Sequence, residues 1–335
     1  MATRIHERAG RGRLVASIAL LIAALAGGTA AAQGSADHWP SRPIRLIVPF
    51  AAGGGNDTVA RLIQRDLEKA LGQPLVIENK PAGSGIVGTE RVAKAAPDGY
   101  LLLMAFTTHT VNPAVTAKLP YDTERDLAPV VLVGKSPLLF SVNPKVPART
   151  LGEFVTLAKA NPDKFNYGTP GAPSQAHLLI SLWSRLAGIR MQHIAYRGAA
   201  PALFGAAAGE VQSTLISALS SLPHVNSGTL RALATGGRER EAHLPDVPTF
   251  EESGYPGFEA VAWAGLFTRA GTPPAIIGRL NAEVNRIIST PMLAKRFDEE
   301  GMVPAGGSPE EFGAFVSREL ARWKEAARTA GISAE

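Results

Sequence analysis

The segment IVPFAAGGGNDTVARLI, Ile47 to Ile63, runs from apolar residues into three consecutive glycines and then into helical periodicity. The same order returns at FNYGTPGAPSQAHLLISLWSRLAG, Phe165 to Gly188. A strand that ends in a glycine-rich turn and feeds a helix is the repeating unit of an α/β fold. Glycines let the backbone approach an anion and point successive N–H groups at it, and a helix N-terminus carries about half a positive charge. Two such junctions predict a ligand held between two lobes, at the carboxyl ends of strands.

Around these junctions, short β-rich runs alternate with helical ones from Pro43 onward, which predicts a largely parallel sheet. IRLIVPF (44–50), PLVIEN (74–79) and YLLLMAF (100–106) read as strands, and APVVLVG and LLFSVN continue the sheet. Val59, Leu62, Ile63, Leu67, Ala70 and Leu71 share one helical face, and Gly72 ends that helix. A second unit begins near Pro144, with strands at FNYGT, MQHIAY, VQSTLIS and LRALAT. VAWAGLFTRAG resumes strand character, and helices start at Pro273–Pro274, Pro291 and Ser308, the last with Ser308 and Glu311 placed for a capping box.

The N-terminus is read apart from the fold. Arg4, Arg8, Arg11 and Arg13 precede the apolar run LVASIALLIAALAG, and small residues follow, as in a secretory signal peptide over 1–32 cut between Ala32 and Gln33. The run is shorter than the roughly 20 residues of a spanning helix, so export to the periplasm is expected. Residues 1–32 hold four Arg and one Glu, which reduces the net charge from +5 to +2 for the remainder. No basic block survives, so nucleic acid is not an expected partner. The absence of Cys removes thiolate chemistry and disulfides.

Strings that suggest enzymes fail on context. GSGIVG (Gly83–Gly88) fits a dinucleotide loop, but Pro81 lengthens the turn and TTH stands where a ribose-binding acid belongs. GKS (Gly134–Ser136) lacks the upstream glycine of a phosphate loop, since Pro129 occupies that place. No G-x-S-x-G elbow is present. His109, His177, His193, His224 and His243 are scattered, with no H-E-x-x-H and no Cys beside them, so neither a metal nor another cofactor is expected. His193 reads as a core residue of its strand, His109 as either a cleft-edge or a loop residue, and Arg197 as a solvated or lobe-bridging residue or else a positive charge for the ligand. Trp183, Trp263 and Phe267 read as core.

WPSRPIRLIVPFAAGGGNDTVAR, NKPAGSGIVGTERVAKAAPDGYLLL, NPDKFNYGTPGAPSQAHL, LPHVNSGTLRALA and LPDVPTFEESGYPGFE, in that order, resemble the Bug family of periplasmic solute-binding proteins of tripartite tricarboxylate transporters. The resemblance covers essentially the whole chain after the signal. It implies an α/β, two-lobed "Venus flytrap" of periplasmic binding protein type II, with lobe 1 from 38–141 plus 258–335 and lobe 2 inserted at 142–257. It implies a small organic carboxylate held by backbone N–H groups and hydroxyls, with no dedicated arginine.

Carried over by that resemblance, the first-lobe contacts are Phe50, Ala51, Ala52, Gly53, Gly54, Asn56 and Asp57. Asn56 or Asp57 would also cap the first helix. Thr107, Thr108 and His109 fall at a polar strand end lining the cleft. The second-lobe contacts are Thr169, Pro170, Gly171, Ala172, Ser174 and Gln175. Where many relatives read roughly VDLMFDNLPS, this chain reads VQSTLISALS from Val211, so Gln212 and Ile216 replace acids and Ser217 stands beside them. Loss of an acid at the cleft argues against an amino group on the ligand. The expected protein is a monomeric, non-catalytic binder that delivers a carboxylate to membrane permease subunits. Two other readings are a sensor that presents its closed form to a signalling receptor, and a periplasmic α/β enzyme, for which no nucleophile–base pair is visible.

Overall fold

The computed structural model describes residues 38–53, 55–171 and 174–332. The signal segment, Gly54 and Ala172 lie outside them. The chain divides into two compact units, Met1–Arg42 and Pro43–Glu335, and the architecture below is that of the second.

Its first strands are β1 (Ile44–Val48), β2 (Leu75–Asn79) and β3 (Leu101–Phe106), with β1 parallel to both others. Helix α1 (Gly55–Leu71) connects β1 to β2 and buries Val59, Leu62, Ile63, Leu67 and Leu71 of the face its periodicity predicts, while Ala70 is half-buried. Gly72 ends it at φ 71°, a left-handed conformation that favours glycine. Helix α2 (Ile86–Ala93) precedes β3, and α3 (Thr108–Val115) follows it directly. The sequence reading missed α3, because Thr, Asn and Pro113 mask its short helical pattern.

The expected strands APVVLVG and LLFSVN are one strand, β4 (Leu127–Val142), carried through Gly134–Pro137 by its partners. Between Pro137 and Leu138 it changes neighbour. Up to Pro137 it lies antiparallel to β9 (Val261–Arg269), which also pairs with β3. From Leu138 it pairs with β7 (Ser213–Ser217) and from Leu139 with β8 (Arg231–Thr235). Beyond β7 lie β5 (Asn166–Thr169) and then β6 (Gln192–Ala195), all three mutually parallel. The sheet is therefore parallel only within each strand–helix group. The strands that join the groups run antiparallel, a correction to the largely parallel expectation. It arises because β9 returns from far along the chain, which local pattern does not encode.

Helices α4 (Leu151–Ala160), α5 (Gln175–Ala187), α6 (Ala199–Ala208) and α7 (Ala218–Asn226) belong to the second group, and α7 was not anticipated. Phe140, Phe154, Trp183 and Phe250 form its aromatic centre, with ring centroids 4.8 to 6.4 Å apart. Helices α8 (Pro274–Ile288), α9 (Pro291–Glu299) and α10 (Pro309–Ala330) start where the sequence places them, and α10 has the full Ser308–Glu311 capping box. The short strand β10 (Val303–Gly306) adds to β4. Trp323, Ala326 and Ala327 of α10 are buried in the same cluster as Phe154 and Trp183, while Phe312 and Val316 pack with Trp263 and Phe267 of β9. The last helix thus packs against both groups. Among the described residues, no helix is long and apolar enough to cross a membrane.

Candidate functional site

Both glycine-rich junctions stand at strand carboxyl ends, after Val48 of β1 and Thr169 of β5. At the first, Gly53 has φ 77° and Ala51, Ala52 and Gly53 are exposed. Helix α1 already begins at Gly55, ahead of the Asn56 or Asp57 expected to cap it.

Asp57 is hydrogen-bonded within the chain. Its buried carboxylate accepts from Gly53 N–H at 2.9 Å, Arg61 Nε at 2.7 Å and Asn79 Nδ2 at 3.0 Å. Asn79 also donates to the Phe50 carbonyl at 3.1 Å. Burial pushes the Asp57 pKa up, but the hydrogen bonds from Arg61, Gly53 and Asn79 hold it below its ordinary value. The chain supplies its own anion to one N–H of the cradle and so fixes the loop. The Phe50 ring, half-buried, packs edge-on against Phe106 at 5.5 Å.

At the end of β3, Thr107 is buried and its hydroxyl accepts from Trp263 N–H at 3.0 Å. Thr108 is half-buried, and a Cβ built on Gly85 would lie 3.7 Å from its Oγ1. His109 turns into the core, with its ring centroid 4.8 Å from that of Phe267. Burial lowers its pKa to about 3, so the ring is neutral at any ordinary pH. The side chain is not at a cleft edge.

At the second junction, Ser174 caps α5 by accepting from His177 N–H at 3.3 Å, which leaves its own O–H proton for another acceptor. Gln175 Nε2 donates to the Val261 carbonyl at 2.8 Å. Thr169 is fully buried and its hydroxyl lies 2.8 Å from the Gly171 carbonyl oxygen, inside the loop. Pro170 and Gly171 are half-buried.

The end of β3 and the second junction therefore converge on one stretch of β9: Thr107 binds the backbone of Trp263, and Gln175 binds the backbone of Val261. A second convergence lies at the start of α7. A Cβ on Gly55 would be 2.8 Å from Leu219 Cδ2 and 3.0 Å from Ser220 Oγ, so the first turns of α1 and α7 approach closely only because residue 55 is glycine. Leu219 N–H donates to Ser136 Oγ at 3.3 Å, and Ser136 donates to the Gly301 carbonyl at 2.8 Å. Half-buried Ser217 immediately precedes α7.

Val261–Trp263, Ser136 and Leu219–Ser220 were missed in the sequence. Only Ser136 left a signal, as a polar residue inside an apolar strand. The acid-to-neutral changes also divide. Gln212 sits at the far end of β7, where its Oε1 accepts from Asn166 N–H at 2.8 Å, and Ile216 is buried in an apolar cluster with Leu203 and Val211. Of the three residues, Ser217 is the one at the carboxyl end of the strand. Arg197 is exposed, as expected. Two surface hollows, of about 170 and 300 Å³, are lined by none of the candidate residues.

The family model described as "Tripartite tricarboxylate transporter family receptor" matches residues 59–332. The chain is 37% identical over 321 residues to BugT of Bordetella pertussis, covering 95% of this chain and 98% of that protein. Among solved structures it is similar to R. palustris Rpa4515 with adipate (33% identity, TM-score 0.85, covering 89% of this chain and 100% of that one). It is also similar to MatC from Rhodopseudomonas palustris with bound malate (34% identity, TM-score 0.79, covering 86% and 99%). The family model spans both strand–helix groups and the second glycine-rich junction, the similarity to BugT extends over nearly the whole chain, and the chain belongs to the TctC family of tripartite tricarboxylate transporter receptors.

Proposed function

We propose that this protein is a periplasmic solute-binding protein that closes two lobes on a small organic carboxylate and hands it, without chemistry, to permease subunits of a tripartite tricarboxylate-type transporter. The observation that carries this reading is the convergence of Thr107 and Gln175 on Val261–Trp263 of β9. The lobes would be 38–141 plus 258–335 and 142–257, with the hinge where β4 changes partner at Pro137–Leu138. Ligand that touches both loops only in the shut state draws the population toward it.

Accessible groups would hold the carboxylate: the backbone N–H groups of Ala51 to Asn56, the hydroxyls of Thr108, Ser174 and Ser217, and the backbone of Pro170 to Ala172. Phe50 would form an apolar wall. Asp57, Thr107, His109, Thr169 and Gln175 would act behind that surface. Two relatives have adipate and malate in their structures, which makes dicarboxylates the first class to try. With Gln212 and Ile216 in place of the family's acids, unaminated acids should bind better than aspartate or glutamate. A thermal-shift screen of the chain from Gln33 against mono-, di-, tricarboxylic and aromatic acids tests the reading. Ligand at 100 times its dissociation constant should add about 2.7 kcal/mol. No shift with any acid, or preference for an amino acid, would count against it.

A further inference from the structure

The second loop is fastened by a pair of histidines that the carboxylate reading does not use. His193 lies on β6, where it pairs in register with Tyr167 of β5. His177 lies in the first turn of α5, just past the loop. Their rings stack with centroids 3.8 Å apart and planes 22° from parallel, and Tyr167 lies 5.1 Å from His193 on a nearly parallel plane. Tyr167 Oη is 3.0 Å from His177 Nδ1. The two imidazoles thus join the residue entering the loop to the helix leaving it.

The hydrogen bonds decide which nitrogen of His193 carries the proton. Thr169 Oγ1 is 2.7 Å from His193 Nε2 and 2.8 Å from the Gly171 carbonyl oxygen. A carbonyl only accepts, and the hydroxyl has a single proton. That proton goes to Gly171, so His193 must donate from Nε2–H to Thr169. We propose that His193 is a positioning residue for ligand binding: stacked on His177, it donates to Thr169 and holds the hydroxyl on Gly171, keeping the second loop in its binding shape. The inference rests on the carboxylate-binding reading and adds to it a residue that touches no ligand.

The arrangement suits two neutral rings and resists two charged ones. Burial, and then the neighbouring His177, lower the His193 pKa to about 4, and burial lowers that of His177. The other titratable or charged groups around β6 are Tyr167 on β5, Tyr196 with its partner Glu210 at 3.0 Å, exposed Arg197, and the Arg190–Asp163 ion pair before the strand. The charge that acts on His193 is that of His177. Acidification that protonates the stack should loosen the loop and weaken ligand binding.

The test is calorimetric titration of the chain from Gln33 with adipate and malate between about pH 3.5 and 7.5, a range that spans the His193 titration, for the wild type, His193→Gln and His193→Leu. Glutamine keeps an N–H donor near the Nε2 position, and leucine does not. Leucine should weaken binding roughly tenfold, the equivalent of about 1.4 kcal/mol, with glutamine restoring most of it. Wild-type affinity should fall more steeply below about pH 5 than that of His193→Gln, whose profile lacks the His193 titration. Equal affinity for wild type and leucine, or superimposable pH profiles for wild type and glutamine, would overturn the proposal. Nitrogen NMR of the imidazoles tests the same geometry in the absence of ligand. Protonation of neutral His193 at Nε2 and titration well below 6.5 support the inference, whereas a proton on Nδ1 or an ordinary midpoint sinks it. Should adipate and malate both fail to bind while the NMR result holds, the choice of those ligands fails and the positioning geometry stands.

Discussion

Replacing Asp57 by Asn should loosen the first loop without changing its size. The carboxylate is buried and takes three donors, two of them, Gly53 N–H and Arg61 Nε, on the same oxygen. An amide keeps one acceptor oxygen and turns an NH₂ toward a donor at the other position. A hydrogen bond to a charged group is worth about 1.5–3 kcal/mol. The Arg61 side chain is 51% exposed, so its share is nearer the roughly 0.5–1 kcal/mol of a surface pair. Losing the charge while keeping half the geometry should therefore cost about 2–4 kcal/mol. For a chain of this size that is a fall in melting temperature on the order of 3–6 °C. Equilibrium unfolding in urea at pH 7 measures the loss, and carboxylate titration measures its effect on the loop. The pKa of Asp57 is depressed below 3.8, so its contribution is complete above about pH 4 and disappears as pH falls through the lowered value. The difference between wild type and variant should then shrink as the pH falls below 3.8. A variant within about 0.5 kcal/mol of wild type, the usual range for an unimportant surface change, with unaltered affinity, would refute an internal anion that fixes the loop.

Gln175→Ala removes the bond to Val261 and should weaken ligand binding by about 1 kcal/mol, read by calorimetry, with little change in the far-UV spectrum. Gly55→Ala places a methyl 2.8 Å from Leu219, so it should favour the open arrangement and lower affinity. Paired spin labels on the two lobes should then report a longer mean distance than in wild type. Trp323→Ala empties a fully buried site shared with Phe154 and Trp183 and should cost about 3–5 kcal/mol in urea unfolding.

Local chemistry was legible in the sequence wherever one segment carries its own signal. The buried stripe of α1, its Gly72 terminus and the Ser308–Glu311 box all depend on residues within a few positions of each other. Both glycine-rich junctions were also legible as strand-end loops. Pairings between distant segments were not. Nothing near Val261 indicates that its carbonyl meets Gln175, and nothing near Leu127 reveals that one strand runs unbroken to Val142. Polar side chains in the loops read as ligand donors because their type is suited to that role. The structure gives Asp57 to Gly53 and Thr169 to Gly171, uses that depend on turn geometry rather than composition. His109 read as polar surface, yet α3 rotates it onto Phe267.

The central claim is that one carboxylate is gripped by both glycine-rich junctions at once. A crystal structure of the chain from Gln33 with the acid that gives the largest thermal shift tests it most directly. We expect carboxylate oxygens within hydrogen-bond distance of backbone N–H groups between Ala51 and Asn56, and a second set of contacts from Pro170 to Ser174. An acid bound at one junction alone, or at a site remote from both, would contradict the account.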